Sequence, residues 1–168
     1  MAINEKSQEI EAFKLTDLGF QDCEGFPILI NDINKKIDCV IGDGAYDRYD
    51  GYKLSHEKKF RLIAPPRKDA KLTNECKSQT TIRQHTDQVL EALKSRNTFI
   101  ERIREVGQKQ WKKEINYHRR SLVETAMFRI KTILGNRLRT KIMLHQQTEI
   151  AIWCNVINKM TALGFGTD

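Results

Sequence analysis

The residues best suited to chemistry in this chain fall in two clusters far apart in sequence. Asp43 lies in Val40-Ile41-Gly42-Asp43-Gly44-Ala45-Tyr46-Asp47, just past the apolar run Ile37–Ile41. A carboxylate at the C-terminal end of a buried strand stands at the rim of an α/β sheet, where ligands and metals bind. Gly42 and Gly44 remove side chains on either side, so a backbone or a phosphate can approach closely. An Asp-Gly pair is equally an ordinary turn signal, with Asp43 capping the helix that follows. The second cluster is Tyr117, Arg120, Glu124 and Lys131. At ~100° per helical residue these four share an arc of about 60° over roughly 21 Å. They lie beside an apolar face of Leu122, Val123, Ala126, Met127, Ile130, Ile133 and Leu134. Such a stripe suits a metal ion at the Glu and phosphates at the Arg and Lys. Two simpler readings fit the same residues. Ser121-x-x-Glu124 matches a capping box, and Arg120 with Glu124 matches an i,i+4 surface pair worth about 0.3–0.5 kcal/mol.

Positioning these residues requires strands first and helices later. Glu9–Thr16 alternates as a strand, with Met1–Asn4 as its partner across the polar turn Glu5–Gln8. Phe26–Ile33 reads as a helix with Pro27 at its first position. Ile37–Ile41 and Phe60–Ala64 read as buried strands, the second stopped by Pro65-Pro66, with a helix over Tyr46–Lys59 between them. Residues 67–95 are expected to be a flexible connection within one domain. Thr98-x-x-Glu101 predicts a capped helix ending at Gly107, and Ser121–Leu134 a helix ending at Gly135. Over Thr148–Leu163, Ile152, Trp153, Val156, Ile157, Met160 and Leu163 should face the core. Alternating strands and helices followed by a helical C-terminal part predict an α/β fold with the strands in one sheet. Asp43 and Glu124 should then meet.

Composition narrows the class of partner. The chain has 168 residues, 39% hydrophobic and 30% charged, without an apolar run of membrane-spanning length or a signal-peptide core. Cys23, Cys39, Cys76 and Cys154 lie too far apart for a zinc knuckle, and Cys39 and Cys154 read as core thiols. These features point to a soluble cytosolic protein with no membrane partner. Lys and Arg outnumber Asp and Glu 29 to 22, and the excess is uneven. Residues 1–66 carry a net −3, whereas Lys94–Lys141 alone hold 14 basic and 4 acidic side chains. A basic block of this kind suits a polyanion, and a solvated helix face would look the same. His118 and His145 read as solvated or phosphate-facing, and Trp111 as a base-stacking or a packing residue.

Tyr117-x2-Arg120-x3-Glu124-x6-Lys131 resembles the signature of the DDE transposases of bacterial insertion sequences. Gly42-Asp43-Gly44-Ala45-Tyr46-Asp47 resembles the segment that carries the second catalytic Asp of those enzymes. Pro65-Pro66-Arg67-Lys68 and Trp111-Lys112-Lys113 are similar to them as well, so the resemblance spans nearly the whole chain. It implies a ribonuclease-H-like mixed sheet flanked by helices. It also implies strand cleavage and transfer on DNA with two divalent ions, Mg²⁺ or Mn²⁺. Asp43 and Glu124 would be the second and third metal ligands. Tyr117, Arg119, Arg120 and Lys131 would hold DNA. Glu9-Ile10-Glu11-Ala12-Phe13-Lys14-Leu15-Thr16 matches the family's second strand, which puts Asn4 where the first Asp belongs. A neutral amide there removes one negative charge. The resemblance therefore implies one catalytic domain over 1–168, truncated and impaired. Transposon-end and target DNA would be its partners, with a homo-oligomer or an intact transposase as further partner, in a nucleoid-associated setting. The alternative is a catalytically dead DNA- or partner-binding remnant that competes with intact transposase.

Overall fold

A computed structural model of the chain describes residues 1–16, 19–73 and 87–165. The chain folds as two compact units. One takes Met1–Asn34 together with Arg119–Asp168, and the other is Lys35–His118.

In the first unit, β1 (Ala2–Ile3) pairs antiparallel with β2 (Ile10–Ala12). Ile10 and Ala12 are buried while Glu11 between them is half-exposed, the alternation expected of a strand with one covered face. The turn closes through Asn4 N–H to the Glu9 carbonyl (2.9 Å) and Gln8 N–H to the Asn4 carbonyl (2.8 Å). Helix α1 (Asp22–Asp32) packs beside β2 and buries Phe26, Leu29 and Ile30. It starts four residues before the predicted Phe26, so Pro27 lies inside the helix and not at its first position. The Glu24 carboxylate starts it by accepting the Gln21 N–H at 3.2 Å.

Two longer helices, α5 (Ser121–Leu134) and α6 (Met143–Ala162), cover the β1–β2 hairpin. Ile10, Ala126, Ile130, Cys154 and Ile157 form this core, with Ile3, Phe13, Trp153 and Met160 packed around them. Ile152, Val156 and Leu163 were expected in that core but are exposed; Cys154 and Ile157 set the buried line of α6 instead. Asn158 on α6 acts as a strand substitute. Its side-chain oxygen accepts the Ile10 N–H (2.7 Å) and its amide donates to the Ile10 carbonyl (2.9 Å).

The second unit contains a β-α-β arrangement. β3 (Cys39–Ile41) and β4 (Arg61–Ile63) run parallel, joined through α2 (Tyr49–Glu57). Helix α3 (Asp87–Val106) packs on α2, and α4 (Gln108–Glu114) packs on α3. Gly107 separates α3 from α4 at φ +81°, a conformation that costs a side-chain-bearing residue far more. Ile63, Phe99 and Trp111 form one buried cluster here, with the Phe99 and Trp111 rings 5.4 Å apart. Trp111 is only 1% exposed, so it packs and does not stack on a base.

Within the units, β2 pairs with β1, and β3 with β4, each as a two-stranded sheet. Several expectations are corrected. Residues 87–95, placed in a flexible connection, are the first turns of α3, and Thr98 lies within that helix with its hydroxyl donating to the Ser95 carbonyl at 2.7 Å. A hydroxyl used this way cannot cap a helix start. Cys39 is exposed and not a core thiol, whereas Cys154 is buried, which pushes its thiol pKa up. Cys76 and the run 77–81 lie outside the described residues.

Candidate active site

Asp43 follows the end of β3 and opens a single 3-10 turn, Gly44–Tyr46. One carboxylate oxygen accepts the Ala45 N–H at 2.9 Å, so the turn-capping role is realised. The other oxygen has no partner among the described residues. The glycines flanking Asp43 are used by the protein itself. A Cβ on Gly42 would stand 2.7 Å from the Tyr46 ring, and one on Gly44 would stand 3.3 Å from the Pro65 carbonyl oxygen. The bare backbone at Gly42 thus receives an aromatic side chain from within the motif. Tyr117 supports the same turn from α4's side of the unit. Its hydroxyl donates to the Gly42 carbonyl at 3.1 Å, and the Lys112 ammonium lies 5.0 Å from its ring centre.

Below this turn lies a buried polar cluster that no sequence motif announced. The Asp47 side chain is 3% exposed and accepts from Arg96 Nε (2.8 Å), Arg96 Nη2 (3.1 Å) and the Tyr52 hydroxyl (3.1 Å). Arg96 also donates to the Lys71 carbonyl. Tyr52 is fully buried. Burial first, and Asp47 second, push its hydroxyl well above the usual tyrosine range. The cluster ties the last residue of the Asp43 motif to α2 and α3. Asp47 closes the quoted motif, but Arg96 lies 49 residues away in an ordinary charged helix.

The remaining candidates belong to the first unit. Glu124 lies in the first turn of α5 and is exposed, with one carboxylate oxygen paired to the Arg120 guanidinium. The i,i+4 surface pair is therefore present. Arg120, in helical conformation, precedes α5 and its side chain makes no cap, so Ser121 is the first residue of the helix and not its cap. Tyr117–Arg120 form a 3-10 turn of about three residues per turn, so the α-helical stripe starts at Arg120, not at Tyr117. Arg119 pairs with Glu5, and Lys131 in the last turn of α5 is exposed.

Asn4 forms the turn of the β1–β2 hairpin. Its side-chain oxygen accepts the Lys6 and Ser7 N–H groups (3.0 and 3.1 Å), and its amide donates to Glu11 at 3.1 Å. Asn4 and Glu124 thus belong to one unit and Asp43 to the other. Among the described residues, no group of three His, Cys, Asp or Glu is arranged to hold a metal.

A family model for the transposase DDE domain matches residues 1–159, which include Asn4, Asp43 and Glu124. The chain belongs to the DDE transposase family. No solved structure matches it. Membership makes this a mixed α/β transposase domain of nuclease type whose partner is DNA, in a family that depends on divalent metal ions. Among the described residues no helix of this transposase is long and apolar enough to cross a membrane.

Proposed function

We propose that residues 1–168 form one transposase catalytic domain of the ribonuclease-H-like plan, of the kind that cleaves and rejoins DNA strands of an insertion sequence, impaired in this chain by Asn4 at the first carboxylate position. The family match across both motifs carries this reading. Asp43 and Glu124 are the metal ligands in it. Each keeps one carboxylate oxygen without a partner among the described residues, and such hard oxygen donors suit Mg²⁺ or Mn²⁺. When bound, two such ions clamp the attacking and leaving oxygens of a phosphoryl transfer. Asn4 offers only a neutral oxygen, already accepting two turn N–H groups.

Tyr117, Arg119, Arg120 and Lys131 serve the DNA backbone in this reading. Arg119 and Arg120 would exchange Glu5 and Glu124 for phosphate; exposed pairs of that kind are worth only about 0–1 kcal/mol. Nicking of a supercoiled plasmid and Mn²⁺ titration provide the test. The chain as given should not nick, and Asn4→Asp should bind Mn²⁺ more tightly. Mn²⁺ affinity unchanged by both Asp43→Ala and Glu124→Ala would refute the metal assignment.

The commitment of Asn4 to its turn favours one second reading, a DNA-binding remnant without catalysis that competes with intact transposase. Failure of Asn4→Asp to confer nicking, with DNA binding intact, is the result that reading expects.

A further inference from the structure

Five arginines of the basic block are committed within the protein. Arg96 pairs with Asp47, Arg102 with Glu105 and Glu114, Arg119 with Glu5, and Arg120 with Glu124. Arg129 is spent on the end of α6, donating to the Thr161 hydroxyl (2.9 Å) and the Phe165 carbonyl (2.8 Å). The segment between α5 and α6 is different. In Arg137-Leu138-Arg139-Thr140-Lys141, exposure alternates: Leu138 and Thr140 are half-buried, and the three cations are exposed. None of these three side chains has an acidic partner among the described residues.

This loop is also anchored. Both carboxylate oxygens of Glu149, on α6, accept the Arg139 N–H at 3.0 Å, and one accepts the Thr140 N–H at 3.4 Å. The Gln146 amide donates to the Thr140 carbonyl at 3.0 Å. Glu149 therefore spends its hydrogen-bonding capacity on backbone N–H groups and not on guanidinium groups. The loop is held while its charges stay available.

We propose that Arg137, Arg139 and Lys141 form a phosphate-binding rim for duplex DNA, separate from the Tyr117–Lys131 stripe and positioned by Glu149. Two guanidinium forks and an ammonium suit phosphate oxygens, and here no ion pair has to break first. The proposal rests on the reading of DNA as the substrate. The test is fluorescence anisotropy of a labelled random-sequence duplex with the full chain, across a salt series.

Each phosphate contact adds roughly 0.9 to the slope of log K against log salt, so Arg137→Gln, Arg139→Gln and Lys141→Gln together should lower it by about 2.7. Glu149→Ala separates position from charge. It makes the protein more positive, so charge alone predicts tighter binding, whereas loss of the anchor predicts weaker binding. Melting curves confirm that each variant is folded. An unchanged slope in the triple variant overturns the rim and leaves DNA as the substrate. Equal or tighter binding by Glu149→Ala overturns the anchoring role. No salt-dependent binding by the unmodified chain overturns the DNA reading and the rim together. If the triple variant loses affinity for poly-glutamate but keeps it for duplex DNA, the loop serves an acidic protein and the proposal fails.

Discussion

Arg96→Ala should damage the second unit more than removal of almost any other charged side chain. Asp47 is 3% exposed and receives two hydrogen bonds from Arg96, so the substitution leaves a buried carboxylate with Tyr52 as its remaining donor. Breaking a buried pair from one side costs roughly 3–5 kcal/mol. Arg96 is 19% exposed, so water can reach the vacated space and about 3 kcal/mol is the better figure. At ~2–4 °C per kcal/mol for a chain of this size, the melting temperature should fall by roughly 6–12 °C. Urea unfolding measures the free energy directly. Asp47→Asn in the Arg96→Ala background should cost less than the sum of the single changes, because it removes the uncompensated charge. Hydrogen exchange at the Ala45 and Tyr46 amides should quicken in Arg96→Ala, since Asp47 ends the turn that presents Asp43. A cost below about 1 kcal/mol, or strict additivity in the double variant, would refute this account.

Tyr52 carries a pH signature. Its hydroxyl is held above the ordinary value near 10, so the unfolded chain releases that proton first and stability is lost as pH rises beyond ~10. Alkaline melting curves of Tyr52→Phe should lack that component, and near neutral pH the variant should lose about 1 kcal/mol. Gly42→Ala would set a Cβ 2.7 Å from the Tyr46 ring and should cost roughly 1–3 kcal/mol in denaturant unfolding. Adding Tyr46→Ala to it should cost less than the sum of the two. Asn158→Leu strips both partners from the buried backbone of Ile10 and should cost about 2 kcal/mol, with faster exchange of the Ile10 amide as the local readout.

Legibility in the sequence followed the reach of the interactions. Helix α5 was readable to the residue, because its apolar spacing runs unbroken into Gly135 at φ +102°. The β1–β2 hairpin was readable from alternation at Ile10–Ala12 and the polar turn. Two Ser/Thr-x-x-Glu patterns misled, at Thr98 and at Ser121. The spacing that makes a capping box is also the spacing of neighbours inside a helix, where the Thr98 hydroxyl bonds back to a carbonyl. At the site, Asp43 as a post-strand turn residue was readable from local residues alone, and the Arg120–Glu124 pair was one of the open alternatives. The role of Tyr117 beneath Gly42 was not, since it joins positions 75 apart. The Asp47–Arg96 pair and the Asn158 bond to Ile10 escaped for the same reason. Each depends on where a distant helix lands, and no local periodicity encodes that.

The bond between Asn158 and Ile10 has a consequence during synthesis. The ribosome makes Ile10 early, and its partner follows 148 residues later. At ~5–20 residues per second, the nascent chain carries that strand edge for roughly 7–30 s before Asn158 exists. Lys35–His118 is one contiguous unit whose residues are all made before Arg119. The hairpin cannot reach its finished form then, because α5 and α6 supply most of its core. An unprotected strand edge recruits other strands. On crowded polysomes, the neighbouring copies most exposed to one another are unfinished chains of this protein, so slowing translation downstream of His118 should raise the share that emerges aggregated.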